Sequence, residues 1–84
     1  MAWYVYVLRS RRTGRFYLGS STDPTRRLAQ HNRGKTVSTR GRGPWDMVYC
    51  EEYPSRAQAS GRERRLKQMK SSRRLEELIA GLAS

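Results

Sequence analysis

The stretch Trp3-Tyr4-Val5-Tyr6-Val7-Leu8 is an apolar run of strand-favouring residues, and it limits the fold more than any other feature of the chain. Apolar types make up only 36% of the 84 residues, so this run has to supply much of a thin core. A domain of this size buries about 60% of the surface its unfolded chain exposes and is marginally stable. Large rings compensate in part, with five Tyr and two Trp. Side chains alternate along a strand, so Trp3, Val5 and Val7 take one face and Tyr4, Tyr6 and Leu8 the other.

The remaining elements follow from local signals. Residues 9–15 are polar with Thr13-Gly14 as a turn, and Phe16-Tyr17-Leu18 reads as a second strand ending at Gly19. A short polar connection between two strands predicts a hairpin. Asp23 caps and Pro24 opens a helix to about Asn32, stopped at Gly34, with Leu28 and Ala29 as its core candidates. Residues 34–44 read as a basic, Gly-containing loop. Trp45 to Tyr53 reads as a third strand, ended by Pro54. Ser55 and Gln58 form a capping box for a helix to roughly Lys70. Ser71 or Ser72 caps a last helix, with Leu75, Leu78, Ile79 and Leu82 on one face. The expected fold is a single α+β domain over residues 1–84, ordered β-β-α-β-α-α.

Composition excludes several classes of protein. Cys50 stands alone and cannot form an intramolecular disulfide or a cysteine zinc site. No apolar run nears the ~20 residues of a membrane span. The first residues lack the pattern of a secretory signal, so the chain reads as cytoplasmic, with no membrane association. A net charge of +11 points to a polyanionic partner, most simply nucleic acid. Fifteen of the 18 basic residues are Arg, which favours bidentate phosphate contacts. Arg26, Lys35, Arg40 and Arg42 are the candidate phosphate contacts. Trp45 is a candidate platform for unpaired bases, weighed against a place in the core. Gly34-Lys35-Thr36 is not a nucleotide-binding P-loop, because Ala29 stands where that pattern needs Gly and the segment follows a helix.

Carboxylates are scarce, with Asp23 the only one before Asp46, so the converging set of a two-metal nuclease is out of reach. A nuclease built from this chain uses one metal ion or none. Arg27 and His31, four apart on a helix, share a face; Arg27 could neutralise a phosphoryl oxygen and His31 could move a proton. The plainer alternative is a surface His near a helix end. Glu63 could hold a hard cation, or could simply pair with Lys67 one turn on.

Taken in chain order, these residues resemble the GIY-YIG endonuclease family. Tyr4-Val5-Tyr6 stands for Gly-Ile-Tyr, and Tyr17-Leu18-Gly19 for Tyr-Ile-Gly. Arg27 follows Tyr17 by ten residues, as the family's catalytic Arg follows its second Tyr. His31 matches a His of several branches, and Glu63 the metal-binding Glu of a later helix. Arg26-Arg27-Leu28, His31-Asn32, Gly34-Lys35 and Arg42-Gly43-Pro44 resemble the small bacterial stand-alone branch. Tyr4 replaces the first Gly, and Ser20 stands where the excision-repair incision nuclease has Lys, a place His31 could fill.

The resemblance implies a three-stranded antiparallel sheet flanked by helices and one-metal phosphodiester hydrolysis. Its catalytic set is Tyr6, Tyr17, Arg27, His31 and Glu63. Glu63 would hold Mg²⁺ or Mn²⁺, Arg27 would stabilise the pentavalent phosphate, and Tyr17 would orient the phosphate or the water. Either Tyr6 or His31 would be the base. The expected activity is that of a DNA endonuclease in repair, recombination or DNA processing, with single-stranded, flap or branched DNA as substrate. Site choice would come from this domain or a protein partner. The competing expectation is a non-catalytic nucleic-acid binder that keeps the fold.

Overall fold

A computed structural model describes residues 2–35, 40–69 and 72–83. The elements are β1 (Trp3–Ser10), β2 (Phe16–Ser21), α1 (Pro24–Asn32), β3 (Trp45–Tyr53), α2 (Arg56–Lys67) and α3 (Ser72–Ala83). This is the expected order. The strands form one antiparallel sheet in the order β2-β1-β3. The apolar run is thus the central strand, and Val5, Tyr6, Val7 and Leu8 are all essentially inaccessible. A strand covered on both faces has no reason to alternate with polar residues.

The two faces of β1 feed two separate cores. Val5 packs with Ala59, Leu66 and Leu75 from α2 and α3, beside Trp3, Phe16, Leu18 and Tyr53. Tyr6 and Leu8 pack with Trp45, Tyr17, Met47 and Leu28 of α1. The parity read from the sequence therefore separates the helices: α1 covers the Tyr6 face, α2 and α3 the Val5 face.

β3 breaks the same rule. Its register on β1 shifts between Val7 and Leu8, which pair with Tyr49 and Met47 and leave Val48 unpaired. This bulge reverses the facing of every later residue. Trp45 and Met47 serve the α1 core, whereas Tyr49, Glu51 and Tyr53 turn to the α2 side.

Helix ends follow their caps. Asp23 accepts the Arg26 N–H at 3.1 Å and Ser55 accepts the Gln58 N–H at 3.3 Å. Gly34, at φ 73°, takes the left-handed turn that ends α1, a conformation nearly free of cost only for Gly. Three expectations need correction. In α1 Ala29 is exposed and His31 is buried in its place. β1 and β2 each run further than expected. α2 stops at Lys67, with Gln68 as its cap. Lys70 and Ser71 lie outside the described residues, as does the side chain of Leu82.

Candidate active site

β1 and β2 bring the two tyrosines together. Tyr6 lies opposite Gly19 and Leu8 opposite Tyr17, which sets both phenols on the α1 side of neighbouring strands. Gly19 is required there for space. A Cβ at that position would stand 2.5 Å from the Tyr6 hydroxyl oxygen and 2.7 Å from Cζ. Tyr4, on the same face, is diverted: its hydroxyl donates to Glu52 at 2.9 Å.

α1 supplies the next pair. His31 is 1% exposed, which overturns the reading of it as a surface residue. Its Nε2 lies 3.4 Å from the Tyr6 hydroxyl, and the Tyr17 ring sits 4.7 Å from the imidazole, tilted by 58°. Arg27 is half-buried and donates from Nη1 to Gln30 Oε1 at 2.9 Å, while its guanidinium stands beside the Tyr6 phenol. Burial pushes Tyr6 above its ordinary 10.0, with Arg27 opposing and the charges of Tyr17 and Glu63 adding to the rise. Burial first, and Arg27 second, hold His31 below 6.5. At neutral pH the two groups are therefore both uncharged. A neutral imidazole that accepts at Nε2 carries its proton on Nδ1.

Glu63 comes from α2. Its carboxylate is one-fifth exposed and binds Lys67 Nζ at 2.8 Å, the helix pair expected from i,i+4 spacing. Its charge reaches Tyr6. Among the described residues no three His, Cys, Asp or Glu side chains cluster as a metal cage. The donor set fits a hard cation held by one carboxylate, with water and phosphate oxygens completing the shell.

Two fastenings hold these groups in place. Glu51 of β3 receives Arg62 at 2.9 and 3.2 Å, Tyr53 at 2.8 Å, and the Tyr49 hydroxyl. This fixes α2 one residue away from Glu63. Burial raises the Glu51 carboxyl, but Arg62, Tyr49 and Tyr53 together hold it below 4.5; burial and Glu51 push Tyr49 up to about 12. Asn32 ends α1 by bonding both backbone groups of Trp45, accepting its N–H at 2.6 Å and donating to its carbonyl at 3.2 Å. Sequence reasoning missed Glu51, Arg62, Gln30 and Asn32. Gln30, three residues after Arg27, was within reach of helix spacing. The others have partners 11 or 13 residues away in the chain, with no local signal.

The candidate phosphate contacts divide. Arg26, Lys35, Arg40 and Arg42 are exposed. Arg40 Nε donates to the Gly34 carbonyl at 2.9 Å, which ties the basic loop to the end of α1. Trp45 needs correction: at 3% exposure, with Tyr17 6.4 Å away, its ring fills the core and offers no face to a base. A surface cavity of about 410 Å³ opens between Arg9, Phe16, Val48, Glu76, Ile79 and Ala80, and no candidate residue lines it.

Fold and site together define a nuclease-type catalytic domain. The chain belongs to the GIY-YIG family, whose catalytic domain matches residues 2–76. It is 40% identical over 80 residues to the UPF0213 protein of Cronobacter sakazakii, covering 94% of this chain and 82% of that one. It is 38% identical over 78 residues to the mouse structure-specific endonuclease subunit SLX1, covering 87% of this chain and 29% of that protein. The solution NMR structure of the UPF0213 protein BH0048 from Bacillus halodurans has a TM-score of 0.60 to it at 38% identity, covering 95% and 84% of the two chains.

Proposed function

We propose that this chain is a one-domain, cytoplasmic, divalent-metal-dependent DNA endonuclease that acts in repair, recombination or DNA processing. The observation that carries the reading is the uncharged Tyr6–His31 pair beside the Arg27 guanidinium. Such a pair can take a proton from water without forming a charged phenolate. Tyr6 accepts the water proton as its own passes to His31 Nε2, and the imidazole becomes the cation. His31 is then the base and Tyr6 the relay. A contact of 3.4 Å is long for this purpose, as catalytic hydrogen bonds often are without substrate.

Tyr6 and His31 are buried, whereas Arg27 and Tyr17 are half-exposed. The phosphate therefore meets Arg27 and Tyr17 first. As Arg27 turns to the phosphate it opens the phenol to the attacking water, and its planar fork stabilises charge on the equatorial oxygens. Glu63 is the residue that would hold Mg²⁺ or Mn²⁺, which when bound neutralises charge on phosphate oxygens. The likeness to a subunit of a structure-specific endonuclease supports a substrate chosen by its structure, for which we propose branched or flap DNA, and a protein partner. With Trp45 in the core, nothing stacks the bases of a single strand at that place.

The Glu63–Lys67 ion pair favours a second reading, a nucleic-acid binder with an idle carboxylate. Incubation of supercoiled plasmid with and without Mg²⁺ separates them. Nicking that appears with metal and stops with chelator supports the nuclease. Retarded but uncut plasmid under both conditions supports the binder.

A further inference from the structure

Outside the candidate site, the turn between β1 and β2 is locked onto the basic loop before β3. The Ser10 side chain, 1% exposed, donates to the Arg42 carbonyl at 2.5 Å and accepts the N–H groups of Arg12 and Thr13 at 3.2 and 3.0 Å. Arg11 N–H donates to the Pro44 carbonyl at 2.9 Å, and Arg12 Nη1 to the Gly41 carbonyl at 3.1 Å. Asn32 secures the far end of the loop at Trp45. The β1–β2 turn and residues 40–44 before β3, which sequence reading treats as separate connections, thus form one ridge joined through the backbone.

The charges on this ridge are unequal. Arg11 is bidentate to Asp46, at 2.8 Å twice, and is neutralised. Arg12, Arg15, Arg40 and Arg42 are exposed, and among the described residues no carboxylate pairs with any of them. Four guanidinium groups without a carboxylate partner among the described residues stand on two joined segments, and a polyanion supplies the missing counter-charge. Ser10 lies four residues beyond Tyr6 on β1, about 13 Å along the strand. That is more than three base-pair steps of ~3.4 Å, so the ridge lies outside the site itself.

We propose that this ridge is a preformed grip for the DNA backbone, with Arg15 of the β1–β2 turn acting together with Arg42 of the loop on phosphates several steps from the one cleaved. The inference rests on the nuclease reading for the identity of the polyanion. Arg15 and Arg42 are the informative residues, because among the described residues Arg15 contributes only its backbone to neighbouring hydrogen bonds, and Arg42 only its carbonyl. Truncating both removes charge and leaves the backbone fastenings in place.

The test compares metal-free binding of a labelled 20-base-pair duplex by three forms: wild type, Arg15→Ala/Arg42→Ala, and Arg73→Ala/Arg74→Ala on α3 as a charge-matched control. Two lost phosphate contacts lower the slope of log K against log salt by about 1.8, so between 50 and 200 mM salt the wild type loses about tenfold more affinity than the ridge variant. The control is expected to keep the wild-type slope. Equal slopes in all three forms, or equal losses in both variants, would overturn the ridge and leave only net charge. Cleavage of a flap and a branched DNA by wild type with Mg²⁺ is scored separately, so a protein that binds through the ridge but cuts neither contradicts the nuclease reading alone.

Discussion

The Tyr6 phenol occupies the space that any side chain at residue 19 would need, and its ring is too well packed to move aside. Gly19→Ala is therefore expected to cost about 1–3 kcal/mol of stability, as overpacking of a full core does. It is also expected to shift the phenol from His31 and cut cleavage more than the fall in melting temperature explains. A folded Gly19→Ala protein with wild-type cleavage would detach Tyr6 from the chemistry. His31 makes its own prediction in pH. Its folded pKa lies below the 6.5 of the unfolded chain, so below 6.5 the unfolded state takes up a proton that the fold resists. The stability owed to neutral His31 is complete above 6.5 and drains away as pH falls through the folded value. Melting temperature should drop over that window in wild type and stay level in His31→Gln, until Glu51 and Asp46, held below 4.5 and 3.8, begin to protonate. Cleavage should show the same acid limb, because only the neutral imidazole can take a proton.

α2 owes its place to few apolar contacts, chiefly Ala59 and Leu66, so the Glu51–Arg62 clamp fixes much of its rotation. Glu51→Gln removes the charge that gathers Arg62, Tyr49 and Tyr53 and leaves a half-buried guanidinium poorly matched. The expected cost is about 1–3 kcal/mol in urea denaturation, with reduced cleavage because Glu63 is the next residue along. An unchanged midpoint would show that packing alone holds the helix. The elements differ in how far the sequence revealed them. The strand parity of Trp3 to Leu8, the Asp23 and Ser55 caps and the Gly34 stop were legible because each is a local rule. The bulge at Val48 was not, since nothing near Met47-Val48-Tyr49-Cys50 says that one residue will go unpaired. Its consequence, Glu51 turned toward α2, was hidden with it. The burial of His31 was hidden too, because a polar helix hides a residue only where a neighbouring sheet face has room for an imidazole.

For the whole molecule, the +11 charge and the thin core describe one design. A sheet covered on both sides leaves its charged residues outside, and most carry the sign that attracts phosphate. The positions of Tyr6, Tyr17, Arg27 and His31 in one cluster could be drawn from the sequence only through family likeness, since spacing alone left Arg27 and His31 as an ordinary helix pair. Glu63 decides the account, a carboxylate flanked in sequence by Arg62, Arg64 and Arg65 and bound in the free protein to Lys67. In Glu63→Gln the helix pair is lost at a cost of a few tenths of a kcal/mol, about 0.3–0.5. Lys67 is released toward phosphate and a repulsive charge disappears, so metal-free affinity for DNA should hold or rise. Turnover, which in the proposed mechanism needs the metal, should stop. The most direct measurement is cleavage and metal-free affinity on the same folded Glu63→Gln protein: tight binding with no cut product is the predicted result, and continued cleavage at the wild-type rate would contradict the account.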